Sequence, residues 1–257
     1  MTEHTYTHPN GEIFYLEGGN GPNLLFLHGA FAMPQAYEPL LTLLSNSFHV
    51  VAPTHPGHGR SFNISELWSY VDYIQIYKEF IEALKFSPSV IVGHSFGGAL
   101  SLSLGSLVKN AGIIVMDSVG LPFPFIVKDF LAALLEEGDE AIKKDPNMQT
   151  LQELGRAAGA LTVTFGKHPE NIPWFYRHGS TLDLTATLAS FSNPLGLLWG
   201  ENDKVVPLSV GERIKIVVPH SILKIYPGFE HNYPITQPEF THKEILEMVS
   251  YFGVRGG

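Results

Sequence analysis

Apolar residues along this chain recur in short runs. Those at 23–27, 48–52, 90–92, 112–116, 195–199 and 222–226 are too brief for ordinary helices, and several are rich in valine and isoleucine. Short length and β-branching favour strands, and unbroken apolarity marks strands covered on both faces. Residues 12–17 instead alternate apolar with polar positions, the pattern of a half-exposed antiparallel strand at a sheet edge. Helical patterns fill the gaps at 35–44, 65–84, 96–108, 208–217 and 238–251. Ser65 offers an N-cap for the second of these, and Glu66 suits the positive end of its dipole. Strands alternating with helices predict a mostly parallel, twisted sheet flanked by helices, in the α/β class.

From 120 to 188 this rhythm stops. Phe123, Phe125, Phe130, Leu131, Leu134, Leu135, Leu161, Phe165, Trp174, Phe175 and Tyr176 stand among helix-like stretches. The change predicts a helical cap over 120–188, inserted into a core made of 1–119 and 189–257. Most of these side chains are expected to form the insert's own small core, because a pocket uses few residues. Phe123, Phe125 and Trp174, together with Phe31, are the candidates for contact with a ligand.

Composition narrows the function. With 257 residues, 44% hydrophobic and 16% charged, the chain can bury a large core. A formal charge of −9 with no dense basic run argues against nucleic acid as a partner. The absence of cysteine removes disulfides, thiolate nucleophiles and thiolate metal ligands, and suits a reducing, cytoplasmic setting. Met1 to Gly11 is polar without a basic start or an apolar core, unlike a signal peptide. The apolar stretches at 24–33 and 90–108 are broken by His28, Gly29, His94 and Ser95, so no integral membrane span is expected.

The segment Gly93-His94-Ser95-Phe96-Gly97-Gly98 follows an apolar run and opens a helical pattern. This strand, elbow, helix context would lift the Ser95 hydroxyl above the sheet. Serine is a weak nucleophile until a base removes its proton and an acid orients that base. Asp203 lies just past the run 195–199, and His231 in the loop after 222–226, so the order is Ser95, Asp203, His231. Asp117, after the run ending at Met116, is a rival acid, and His220 and His242 are rival bases. The turn after Leu27, His28-Gly29-Ala30-Phe31, can aim a backbone N–H at a reacting carbonyl. Ala30 and Phe96 are accordingly the expected oxyanion donors. His28, His55, His58 and His94 read as structural members of turns. No metal site is expected, since these histidines lack an accompanying set of carboxylates.

With His28-Gly29, Pro56-Gly57-His58-Gly59-Arg60-Ser61, Gly93 to Gly98, Gly200 to Pro207 and the His231 loop in order, the chain resembles the α/β-hydrolase superfamily, of the small cap-bearing esterase and lipase type. Two positions depart from the family pattern. Thr54 stands where an aspartate is common, and Glu230 where a glycine often precedes the histidine. The resemblance implies a serine carboxylester hydrolase for small to medium hydrophobic esters, working through an acyl-enzyme without a cofactor, as a monomer or homodimer. Carbon-carbon bond hydrolysis, lactone hydrolysis and perhydrolysis on the same triad remain open, as does a small-molecule receptor on the same fold. A serine at the elbow argues against the dehalogenase and epoxide hydrolase chemistry that relatives perform with a carboxylate.

Overall fold

A computed structural model describes residues 1–65, 68–124 and 166–253, with isolated positions between 136 and 163. Eight strands form one sheet: β1 (Thr2–His8), β2 (Gly11–Gly18), β3 (Asn23–Leu27), β4 (His49–Pro53), β5 (Val90–His94), β6 (Gly112–Met116), β7 (Leu195–Gly200) and β8 (Ile222–Tyr226). Their spatial order is β1-β2-β4-β3-β5-β6-β7-β8. β1 with β2 and β2 with β4 are antiparallel, and every later pairing is parallel.

The unbroken apolar runs are explained by burial on both faces. On one face Leu25, Leu27, Ile91, Ile113, Val115 and Leu197 pack under α2 (Tyr70–Ala83) and α3 (Phe96–Leu107). On the other, Leu24, Phe26, Val50, Val92, Ile114 and Leu198 pack under α1 (Glu38–Leu44) and the helix Pro238–Tyr251. Neighbouring residues therefore serve opposite cores, as the strand period of two requires.

The chain leaves β3 toward β4 on one side and returns to β5 on the other. The carboxyl ends of β3 and β5 thus flank the point where the strand order reverses, the crevice in which open α/β sheets place their ligands.

Three expectations need correction. The alternating strand, Gly11–Gly18, is not the edge, because β1 pairs along its whole length outside it. β1 is mostly exposed and polar, so its strand character comes from that pairing and not from an apolar pattern. Helix α2 begins at Tyr70 and not near Ser65, and its cap is Ser69 in a reciprocal capping box with Asp72. The stretch expected as one helix at 35–44 divides into a 3-10 turn, Pro34–Tyr37, followed by α1.

Residues 117–194 intervene between the paired strands β6 and β7. They include the helices Ile172–Thr181 and Thr185–Ala189. Phe125, Phe130, Leu131, Leu134, Leu135, Leu161 and Phe165 lie outside the described residues. Among the described residues no helix is long and apolar enough to cross a membrane.

The Ser69 cap is exposed, so its removal is expected to act chiefly through the start of α2. Ser69→Ala should lower stability by about 1 kcal/mol. That corresponds to roughly 2–4 °C in the thermal midpoint for a chain of this size. An unchanged melting curve would contradict the capping box.

Candidate active site

Ser95 sits between β5 and α3 with φ 53° and ψ −117°, a conformation that side-chain-bearing residues rarely adopt. Surrounding contacts hold it there. A Cβ on Gly93 would run into the Gly97 carbonyl and the Ser101 hydroxyl, and one on Gly97 into the Leu27 and His28 carbonyls. Glycine at both positions lets the start of α3 press against the ends of β3 and β5. Across 90–105 every residue is buried except Ser95, which is half-buried at the elbow.

Asp203 and His231 come from the loops after β7 and β8. His231 Nδ1 lies 2.8 Å from Asp203 Oδ2, and both side chains are buried. The other carboxylate oxygen accepts the Val205 and Val206 N–H groups at 2.7 and 2.8 Å, which fixes its orientation. The two loops are joined by the Asn202 N–H donating to the Phe229 carbonyl. With its proton on Nδ1 toward the carboxylate, a neutral imidazole carries its basic lone pair on Nε2.

Four further imidazoles are buried beside this pair, and each has its protons assigned by its partners. His28 donates from Nδ1 to the Gly29 carbonyl and accepts the His55 N–H on Nε2. His55 donates from Nε2 to the His28 carbonyl and accepts the Tyr77 hydroxyl on Nδ1. His58 donates from Nδ1 to the Pro56 carbonyl and accepts the Phe31 N–H on Nε2 at 2.9 Å. His94 donates from Nε2 to the His231 carbonyl at 2.9 Å and accepts on Nδ1 from Tyr37, whose hydroxyl oxygen takes the Gly29 N–H. Burial pushes all four well down from the ordinary histidine value, His58 to about 3.

These bonds commit the amides on either side of Ala30, Gly29 to Tyr37 and Phe31 to His58. Among the described residues neither the Ala30 nor the Phe96 N–H donates to a protein acceptor. Gly29 lies against the elbow, since a Cβ on it would be 3.3 Å from that of Ser95. The arrangement gathers a serine hydroxyl, an imidazole oriented by a carboxylate and uncommitted amides at the carboxyl ends of parallel strands.

Residues 24–241 match the α/β-hydrolase family. The chain belongs to that family. Among characterised relatives it is 26% identical to the 2-(acetamidomethylene)succinate hydrolase of Mesorhizobium japonicum, over 91% of this chain and 90% of that one. It is 25% identical to a bifunctional esterase/perhydrolase of Acinetobacter calcoaceticus, over 93% and 96% of the two chains. A serine hydrolase involved in carbazole degradation shares the fold with a TM-score of 0.80 at 22% identity, covering 97% of this chain and 99% of the other.

Within this α/β-hydrolase frame His220 and His242 lie away from His231, whereas Asp117 stays near it. Asp117 is buried and its Oδ1 accepts the Gly200 N–H at 2.9 Å, tying β6 to the end of β7. His220 reaches the Asn193 carbonyl, and His242 lies on the helix Pro238–Tyr251. His94, Asp117 and His231 each bring one potential ligand atom within 4.8 Å of the others. Both nitrogens of His94 already serve Tyr37 and the His231 carbonyl, so that set does not fit a metal without breaking the chain.

Of the aromatic candidates, Phe31 is buried with φ 64°, its ring 5.6 Å from that of Phe175. Trp174 stacks on Tyr73 and His178 and gives its indole N–H to the Trp68 carbonyl. Phe123 is buried, and its N–H donates to the Ser180 carbonyl. Phe125 lies outside the described residues. Phe175, not singled out from the sequence, joins the candidates to the elbow, with rings of His58, Phe96 and Phe31 at 4.6, 5.3 and 5.6 Å.

Depressed imidazoles make stability depend on pH with a definite sign. As pH falls below about 6.5, the unfolded chain binds protons on His28, His55, His58 and His94 before the folded chain does. Their contribution is complete above that pH and is lost as pH falls toward the folded values. Each differential proton is worth about 1.4 kcal/mol per pH unit, roughly 5 for the set. Urea midpoints should therefore be level from about pH 8 to 7 and drop steeply between about pH 6 and 5. Level midpoints throughout would mean that these imidazoles are not held neutral.

Proposed function

We propose that this α/β-hydrolase is a serine carboxylester hydrolase for small to medium hydrophobic esters, acting through an acyl-enzyme. The observation that carries the reading is the buried His231–Asp203 pair together with the half-buried Ser95 on its strained elbow. His231 Nε2 takes the Ser95 proton as Oγ attacks the ester carbon, then returns it to the departing alcohol. Water, deprotonated by the same imidazole, cleaves the acyl-enzyme. The Ala30 and Phe96 amides hold the charge that develops on the carbonyl oxygen in each half. In this reading residues 120–188 form a cap over the core, and Phe31, Phe123 and Trp174 line the acyl pocket, with Phe125 added from outside the described residues. Phe175 belongs to the same wall.

The bifunctional esterase/perhydrolase among the relatives favours a second reading, perhydrolysis on the same triad. There hydrogen peroxide replaces water in attacking the acyl-enzyme, giving a peracid and regenerating Ser95. Peracid formation from acetate or ester in the presence of peroxide separates the two.

A fluorophosphonate should add one adduct mass to the chain, on Ser95, and Ser95→Ala should lower turnover of p-nitrophenyl esters by about 10⁴-fold or more. An unlabelled protein, or a variant that still turns over, would end the reading. Running the same assay over acyl chain length tests the apolar pocket, which predicts unequal rates for acetate and octanoate esters.

The two aspartates are separable by isosteric change. Asp203→Asn should lower kcat by about 10⁴-fold, because the amide no longer holds the productive imidazole tautomer. Asp117→Asn keeps an acceptor for the Gly200 N–H and should stay within about tenfold of the parent. The reverse ranking would make Asp117 the acid.

A further inference from the structure

Tyr37 belongs to none of the sequence motifs, yet its hydroxyl sits at the middle of a buried hydrogen-bonded chain. The Gly29 N–H donates to Tyr37 Oη at 3.2 Å, Tyr37 donates to His94 Nδ1 at 2.6 Å, and His94 Nε2–H donates to the His231 carbonyl at 2.9 Å. One end of this chain is the turn that carries Ala30, the other is the residue that carries the imidazole, and its middle adjoins Ser95. The rings of His94 and His231 are 4.7 Å apart.

Direction matters along this path. The amide can only donate and the carbonyl can only accept, so the phenol must hand its proton to Nδ1 and leave the His94 proton on Nε2. Without the phenol, the Gly29 N–H loses its acceptor and His94 Nδ1 its donor, and the turn and His94 are no longer joined. The titratable groups around His94 are Tyr37 and His28 on one side and His231 with Asp117 on the other. Burial holds Tyr37 in its phenol form and His94 neutral.

We propose that Tyr37 is a positioning residue, which ties the turn of Ala30 to His94 and through it seats the backbone of His231 in register with that turn. The inference rests on the proposed roles of Ser95 and His231. A misplacement of the base approaching 1 Å is enough to slow the chemical step by about 10²-fold.

Tyr37→Phe removes only the hydroxyl and keeps the ring that packs on Phe26. Its expected signature is a kcat lower by about 10- to 100-fold at a KM within about twofold of the parent. Nitrogen-15 NMR should show His94 as the Nε2–H tautomer in both proteins, with the Nδ1 resonance shifted by a hydrogen bond in the parent and moved toward the free value in the variant. Parent-like kcat in Tyr37→Phe, or a slowed variant whose Nδ1 resonance is unmoved, overturns the proposal. Should the variant not fold, the parent spectrum decides: a hydrogen-bonded, unprotonated Nδ1 upholds the link and a free or protonated Nδ1 overturns it. Ser95→Ala is assayed alongside. Turnover by that variant defeats the serine hydrolase reading itself, whereas an inactive Ser95→Ala beside a fully active Tyr37→Phe removes the role of Tyr37 alone.

Discussion

A buried imidazole needs a donor for one nitrogen and an acceptor for the other, and this chain sets four of them together at the carboxyl ends of its strands. His28, His55, His58 and His94 meet that requirement almost wholly with backbone groups and two phenols. In such surroundings an unmatched polar group costs about 1–3 kcal/mol, so each ring locks the peptide it binds. The rings therefore act as fixed struts between loops that the sheet alone would leave independent.

What they brace is a strained turn. Ser95 holds a positive φ because α3 begins hard against the ends of β3 and β5, and Gly93 and Gly97 permit that approach. The strain is sustained by the packing of a helix whose first ten residues are all buried. A half-buried serine in an otherwise buried segment follows from the same geometry: the elbow turns one side chain out of the core while the chain on either side stays in it.

The two loops that carry Asp203 and His231 solve a different problem. Asp203 takes two amide donors on one oxygen and the imidazole on the other, so the carboxylate is oriented before it orients anything else. Trp199, buried in the strand before it, donates its indole N–H to the Val206 carbonyl and pins the far side of the same loop. On the opposite flank the His231 loop is held from the elbow through His94. Precision at this site thus comes from backbone groups captured by side chains, an arrangement with little freedom for either loop to drift.

Much of this was legible in the residues alone. Apolar runs buried on both faces carry their strand identity in composition, which is why 23–27 and 112–116 coincide with β3 and β6. The turn at Ser95 and the loop positions of Asp203 and His231 are legible for a similar reason, since glycine at a crowded turn and polar residues just past strand ends are local signatures. β1 was not, because an exposed polar strand exists only through its partner β2. Nor was the start of α2, where a capping box at Ser69 and Asp72 prevailed over an equally plausible serine upstream. The hydrogen bond between His231 and Asp203, the contact of Phe175 with His58 and Phe96, and the line from Gly29 through Tyr37 and His94 to His231 belong to the tertiary structure. Local chemistry determines which residues are able to react or to turn the chain. Which of several equivalent donors and acceptors meet is decided by where distant segments are packed, and no spacing along the chain encodes that.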